Sequence, residues 1–201
     1  MLPLSPALLI GAANAFIGLG ENEGSSHGSW RGGLIDCFLR EVRAQSERES
    51  PAPWDAAFAH HVGYWSHFDG DIGQSSWPLP ATASSAELGR FAFERGVLRD
   101  EPERGDLFLL RSGTHSGFTR TGIIVHINDR GYSRTRDPWY ECLTVEGNTD
   151  RTMAASGPLV LRHYRRLDPE RGDRFVRWSR IAVSLAAVAD ERGVPVLKRV
   201  A

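Results

Sequence analysis

The stretch APWDAAF, residues 52–58, decides the fold that we expect for this chain. Pro53 precedes Trp54 and Asp55, and small residues then lead to Phe58 at helical spacing, which is typical of a helix start. Two later stretches predict strands. FTRTG, residues 118–122, runs into a β-branched segment, and VEGNT, residues 145–149, closes another strand on a polar turn. Helices followed by strands predict an α+β fold.

The hydrophobic periodicity of the other segments agrees with this order. Ser5 and Pro6 favour a helix start, Gly18 or Gly20 favours its end, and Ser84 with Glu87 forms a capping-box pattern. We expect helices over residues 6–17, 34–42, 55–65 and 84–96, then strands over 106–110, 122–128, 141–145, 159–165 and 175–181, and last a helix over 183–189. Residues 1–181 are expected to form one domain, with N-terminal helices packed on an antiparallel sheet. Residues 182–201 are expected to form a C-terminal helical tail.

The three stretches, in this order and context, resemble the CHAP-type domain, the cysteine- and histidine-dependent amidohydrolase/peptidase family. The resemblance extends over most of the chain, up to Trp178. The family pattern is Pro-Trp-Cys-Ala-Ala-Phe, then Phe-Ala-His-Thr-Gly, then Glu-Gly-Asn-Thr. The resemblance implies a papain-like fold that cleaves amide bonds in peptidoglycan. In this chain Asp55 stands at the position of the nucleophilic cysteine, and Arg120 at the position of the histidine.

Both substitutions remove the family's chemistry. A thiolate is a strong nucleophile near neutral pH, and an imidazole both accepts and returns a proton there. A carboxylate is a poor nucleophile towards an amide, and a guanidinium does not release its proton at any usable pH. By the resemblance, the degenerate site consists of Asp55, Arg120, Glu146 and Asn148, with Trp54, Thr121 and His126 as candidate substrate-binding residues.

The two substituted residues keep the charge signs of a thiolate and an imidazolium. Asp55 is negative and lies at the start of a predicted helix, where the helix dipole favours an anion. We therefore expect the Asp55 carboxylate and the Arg120 guanidinium to pair directly. A paired Asp55 is expected to have a pKa below its usual value.

The leading hypothesis is a pseudoenzyme that keeps the cleft of a peptidoglycan amidase or endopeptidase without its activity, and that holds a peptide or a cell-wall fragment there. The alternative is an active hydrolase that uses relocated residues. His126 lies at an even spacing from Arg120 on one predicted strand, which places both side chains on one face. His115 lies in the preceding loop. A third reading is that the catalytic pair of a working enzyme was replaced deliberately.

Composition limits the other classes of function. The 201 residues carry a net charge of -1, and no basic run interleaves with aromatic residues, which argues against nucleic-acid binding. The two cysteines, Cys37 and Cys142, are expected to be buried and free. The histidines at 60, 61 and 67 and the segment 69–71 lack the further ligands of a metal site, so neither metal nor cofactor is expected.

The N-terminal apolar run, residues 8–17, has no basic residue before it and is too short to span a bilayer. We therefore expect no export signal, no membrane partner and, by default, a cytoplasmic monomer. Export by a non-classical route is the alternative.

Overall fold

The architecture comes from a computed structural model, which describes residues 4–19, 33–42, 54–71, 73–111, 117–133, 137–149, 159–181, 185–189 and 195–199. The glycine-rich polar stretch at 21–29, for which the sequence predicts a loop, the charged stretch at 47–49 and His115 lie outside these residues. The described residues contain four α-helices, α1 (Pro6–Ala15), α2 (Gly33–Glu41), α3 (Asp55–Ser66) and α4 (Ser85–Glu94), with a short two-stranded hairpin between α3 and α4. None of the described helices is long and apolar enough to cross a lipid bilayer.

The strands are β1 (Phe68–Asp69), β2 (Gln74–Ser75), β3 (Leu98–Arg99), β4 (Leu107–Arg111), β5 (Phe118–Tyr132), β6 (Pro138–Thr149), β7 (Leu159–Leu167), β8 (Arg174–Val176), β9 (Leu185–Ala189) and β10 (Pro195–Arg199). Six of them form one antiparallel sheet in the order β3-β8-β4-β5-β6-β7. The N-terminal helices pack on this sheet, so the predicted α+β class is confirmed.

Two of the predicted helix ends follow the expected chemistry. Gly18, after α1, has a φ of 82°, and its N–H donates to the carbonyl oxygen of Val160 at 2.9 Å. At the start of α4, the Ser84 hydroxyl accepts from the N–H of Glu87 at 3.2 Å. The Glu87 carboxylate does not complete the capping box but accepts from the Thr82 hydroxyl at 2.6 Å. Both helices are therefore fixed at a predicted end.

Each face of the sheet carries a buried apolar cluster. Alternation along each strand places Leu107, Ile123 and Val145 on the face that packs against the helices. Phe108, Ile124, Cys142 and Phe175 belong to a second apolar cluster on the opposite face. A polar side chain buried beside either cluster therefore needs a partner within the protein.

The C-terminal prediction was wrong. The expected helix over 183–189 is a strand at Leu185–Ala189, which pairs with Pro195–Arg199 in a separate two-stranded sheet. Alanine-rich runs have high helix propensity, but isolated short helices are marginal in water. A second strand of matching length supplies the backbone hydrogen bonds that a short helix would have supplied.

Candidate functional site

The site forms where β5 and β6 separate. Their pairing ends at Ile123 opposite Val145, and β6 shifts its register against β7 between Glu146 and Thr149. Thr121 lies two residues before Ile123 in the chain, where β5 no longer pairs with β6. Its N–H donates to the Oδ2 atom of Asp55 at 2.6 Å. The first residue of α3 therefore takes up a hydrogen bond that continued pairing of the two strands would have used.

Asp55 is only 1% exposed. Its Oδ2 atom also accepts from the hydroxyl of Ser85 at 3.1 Å, while Oδ1 has no hydrogen-bond partner. Burial raises the pKa of Asp55 from 3.8 to about 6, although the bonds from Thr121 and Ser85 and the nearby charge of Arg120 act in the opposite direction. The expectation of a lowered pKa was therefore wrong, because desolvation outweighs the neighbouring donors and the cation.

Arg120 points towards the second face of the sheet. Its Nη2 atom donates to the carbonyl oxygen of Asn148 at 3.3 Å, and its Nη1 atom lies 3.7 Å from Oε2 of Glu146. Glu146 is fully buried and accepts from the Thr144 hydroxyl at 2.6 Å. Arg165 donates two hydrogen bonds to the same carboxylate, one from Nε to Oε1 and one from Nη2 to Oε2; the second is 2.6 Å long. Glu146 thus lies between two arginines.

The expected direct pair of Asp55 and Arg120 does not form: neither an ion pair nor a hydrogen bond joins these two described residues. The Oδ2 atom of Asp55 accepts hydrogen bonds from Thr121 and Ser85, and the Arg120 side chain points to the end of β6. The charges are nevertheless close enough for Arg120 to lower the pKa of Asp55. Asp55, Arg120, Glu146 and Arg165, which we call the charge network, balance formally at zero when Asp55 is ionised.

Backbone geometry admits these side chains. Asn148 has a φ of 53°, in the left-handed region, which turns its carbonyl oxygen towards Arg120. A Cβ at Gly122 would lie 2.8 Å from Cγ of Glu146, and one at Gly147 would lie 2.5 Å from the Trp54 ring. These glycines leave the space in which Glu146 and the start of α3 pack.

The predicted substrate-binding residues fall in three different environments. Trp54 is buried in the helix-side core, next to Phe38 and Phe58. Thr121 is buried too, and its hydroxyl donates to the carbonyl oxygen of Phe108 at 2.7 Å. His126 is exposed.

The expectation that His126 shares a face with Arg120 was wrong. A β-bulge between Ile124 and His126 inserts an extra residue, so His126 pairs with Leu143 and lies on the opposite face. The structure therefore gathers Asp55, Arg120, Thr121, Glu146 and Asn148, and leaves His126 outside.

Sequence reasoning missed Arg165, Ser85 and Thr144. Arg165 had a usable signal, because Leu161, His163, Arg165 and Leu167 alternate along β7 and Leu167 lies in the second apolar cluster. An arginine in such a register points inward and requires a carboxylate. Ser85 had no comparable signal, since only the packing of α4 beside α3 brings it to Asp55.

No alternative nucleophile lies in the charge network. Burial raises the pKa of Cys142 to about 12, so its thiol stays protonated and inert, and Cys37, which we expected to be buried, is exposed on α2. In the described parts of the chain, no three histidine, cysteine, aspartate or glutamate side chains cluster closely enough to hold a metal ion.

Comparison with known proteins identifies no relative: no protein-family model matches the chain, and no curated protein or solved structure is significantly similar to it.

Proposed function

We propose that the protein is a catalytically inactive homologue of a papain-like, CHAP-type peptidoglycan amidase or endopeptidase. The observation that carries the proposal is the order of charges at the site. A carboxylate at a helix start, a cation on the neighbouring strand and a buried Glu146 follow one another as nucleophile, base and orienting acid do in a thiol hydrolase. The signs are kept, but Asp55 and Arg120 perform neither nucleophilic attack nor proton transfer.

Burial supports a structural role for these residues. Asp55, Arg120, Glu146 and Asn148 are all at most 5% exposed, so a substrate carbonyl has no access to Asp55. Arg120 already contacts Glu146 and Asn148, and using it for a ligand carboxylate would cost those contacts. We therefore propose that the charge network holds α3 against β5 and β6, and that any retained peptide or cell-wall ligand binds elsewhere.

The alternative, an active hydrolase with relocated residues, has one point in its favour. A carboxylate whose pKa is raised to about 6 has the acidity of a general base near neutral pH. However, Asp55 is buried, His126 lies on the other face, and Cys142 is protonated. The geometry thus supports the inactive homologue better.

Restoring the family's residues tests the proposal. The double variant Asp55→Cys with Arg120→His is expected to release peptides from purified peptidoglycan, because an imidazole fills less of the buried site than the Arg120 side chain and so opens access to position 55, and because Glu146 is in place to orient that imidazole. Either single variant should remain inactive, since nucleophile and base act as a unit. The readout is the mass spectrum of soluble fragments. A folded double variant that releases no more than its single variants would contradict the proposed ancestry.

A further inference from the structure

A second site lies outside the charge network, between α4 and the sheet. It is a cavity of about 350 Å³. The α4 face that lines it carries Gly89, Arg90 and Phe93 at the spacing of one helical face. Arg111 and Phe118, paired with each other across β4 and β5, line the other side.

The cavity is strongly cationic. Three arginines line it, Arg90, Arg111 and Arg174, and none of its described lining residues is acidic. Arg174 is partly compensated, because its Nε lies 3.1 Å from Oδ1 of Asp100. Within the described part of the chain, the guanidinium groups of Arg90 and Arg111 have no hydrogen-bond or ion-pair partner.

The neighbouring acidic residue does not neutralise Arg111. Both carboxylate oxygens of Asp173 accept from backbone N–H groups, from Arg111 at 3.1 Å and from Asp168 at 2.9 Å. Asp173 therefore fixes the main chain of Arg111 and leaves its side chain free for an external anion.

The fold positions both the charged and the aromatic side of the cavity. A Cβ at Gly89 would lie 2.2 Å from the Phe118 ring, so only glycine allows this ring so close to α4. Gly172 has a φ of 93°, and a Cβ there would lie 2.7 Å from Cδ of Arg111. A register shift between Leu110 and Arg111 redirects the end of β4, as bulges beside binding sites commonly do.

The cavity also has an apolar part that lacks a partner. Phe93 is 75% exposed at its rim, and the Phe118 ring forms part of its wall. A large exposed aromatic side chain beside unpaired arginines fits a ligand with one apolar group and one planar anion.

We propose that this cavity binds a short peptide through its free C-terminal carboxylate, with the last side chain of the peptide against Phe93 and Phe118. Arg90 and Arg111 bind the carboxylate, because a guanidinium matches its planar geometry in a bidentate manner. The volume of about 350 Å³ is at the small end of ligand pockets and suits a dipeptide. Inorganic phosphate would satisfy the arginines but would leave both aromatic rings without a contact.

The test is a titration of the full chain with N-acetyl-alanyl-phenylalanine, followed by calorimetry and by NMR of the arginine side chains. The same dipeptide with a C-terminal amide is the first control, and inorganic phosphate is the second. The free acid is expected to bind at least about tenfold more tightly than the amide, since a charged hydrogen-bond pair is lost. Its affinity should fall with added salt.

Variants locate the site. Arg111→Gln and Arg90→Gln should each weaken binding of the free acid by about tenfold, whereas Arg40→Gln, an exposed arginine of α2 that does not line the cavity, should leave it unchanged. Circular dichroism shows whether each variant is folded. If Arg111→Gln does not fold, Arg90→Gln alone tests the role of the arginines. Equal binding of acid and amide, tighter binding of phosphate than of the acid, or no saturable binding up to roughly 10 mM would overturn the inference. The inference does not depend on the proposed ancestry, because none of these residues belongs to the charge network.

Discussion

At the scale of single residues, Asp55 shows that a charge can be held in a protein without being fully compensated. Two donors reach its Oδ2 atom, but Oδ1 has none, and the pKa stays near 6. Arg120, the expected partner of Asp55, contacts Glu146 and Asn148 instead. Complementary charge signs in the sequence therefore predicted proximity correctly but not pairing, because the other partners of each group decide where its side chain points.

The raised pKa of Asp55 leads to a prediction about pH. Since the folded state binds this proton more tightly than the unfolded chain, ionisation of Asp55 destabilises the fold as the pH rises from about 4 to 6. A shift from 3.8 to about 6 corresponds to about 3 kcal/mol. We expect the stability of Asp55→Asn, relative to wild type, to increase by up to that amount between pH 4 and pH 7.

Urea unfolding at both pH values measures this difference. The comparison with wild type is necessary because burial also raises the pKa of Asp106 to about 6, and this residue titrates in both proteins. A relative stability that is constant with pH, or that decreases towards pH 7, would show that Asp55 has a normal or lowered pKa.

Glu146 is the residue on which the charge network depends most. Its carboxylate contacts Arg165 and Arg120, whose side chains are 12% and 7% exposed. Glu146→Gln is expected to destabilise the fold by roughly 3–5 kcal/mol, because two buried cations lose their common anion. The matched control is Glu141→Gln on the same strand, since Glu141 forms no ion pair with the described residues and should have little effect. A loss below about 1 kcal/mol for Glu146→Gln would mean that the network is not structural.

At the scale of elements, the position of α3 on the sheet depends on close contact with β6. Gly147 provides the space for it, since a Cβ there would lie 2.5 Å from the Trp54 ring and 2.8 Å from Cβ of Phe58. Gly147→Ala is expected to destabilise the fold by about 1–3 kcal/mol through overpacking. Gly11→Ala is the control, because nothing lies within 4 Å of its Cβ position in α1, and alanine there should stabilise the helix by up to about 1 kcal/mol.

Thermal and urea unfolding of both glycine variants measure the change in the free energy of unfolding that each substitution causes. If Gly147→Ala proves as stable as wild type, α3 can shift away from β6 without cost, and the close contact does not fix the site.

The sequence predicted the helices and the sheet well where local chemistry decides. Ser5 with Pro6, Ser84 with Glu87 and the β-branched run after Gly122 each mark an element that forms. It failed where a distant partner decides. The register shift that places His126 and Arg120 on opposite faces arises from the pairing of β5 with β6, and no residue in β5 predicts it. Arg165 lies in a strand outside the three diagnostic stretches, so the residue that balances Glu146 was missed.

At the scale of the whole molecule, a six-strand antiparallel sheet with helices on one face positions two polar regions. The charge network closes the junction of α3 with β5 and β6 and excludes solvent there. The arginine-lined cavity lies beside α4. This division separates the charge network, which we propose supports the fold, from a cavity whose Arg90 and Arg111 guanidinium groups have no partner among the described residues.

The most direct test of the central claim is a digestion of purified peptidoglycan by the wild-type protein, with soluble peptides measured by mass spectrometry at pH 5, 6, 7 and 8. We predict no release above that of heat-denatured protein at any pH, because the Asp55 carboxylate is buried and the Arg120 guanidinium transfers no proton. Release by the wild-type protein that disappears in Asp55→Asn or His126→Ala would contradict the account and establish an active hydrolase with relocated residues.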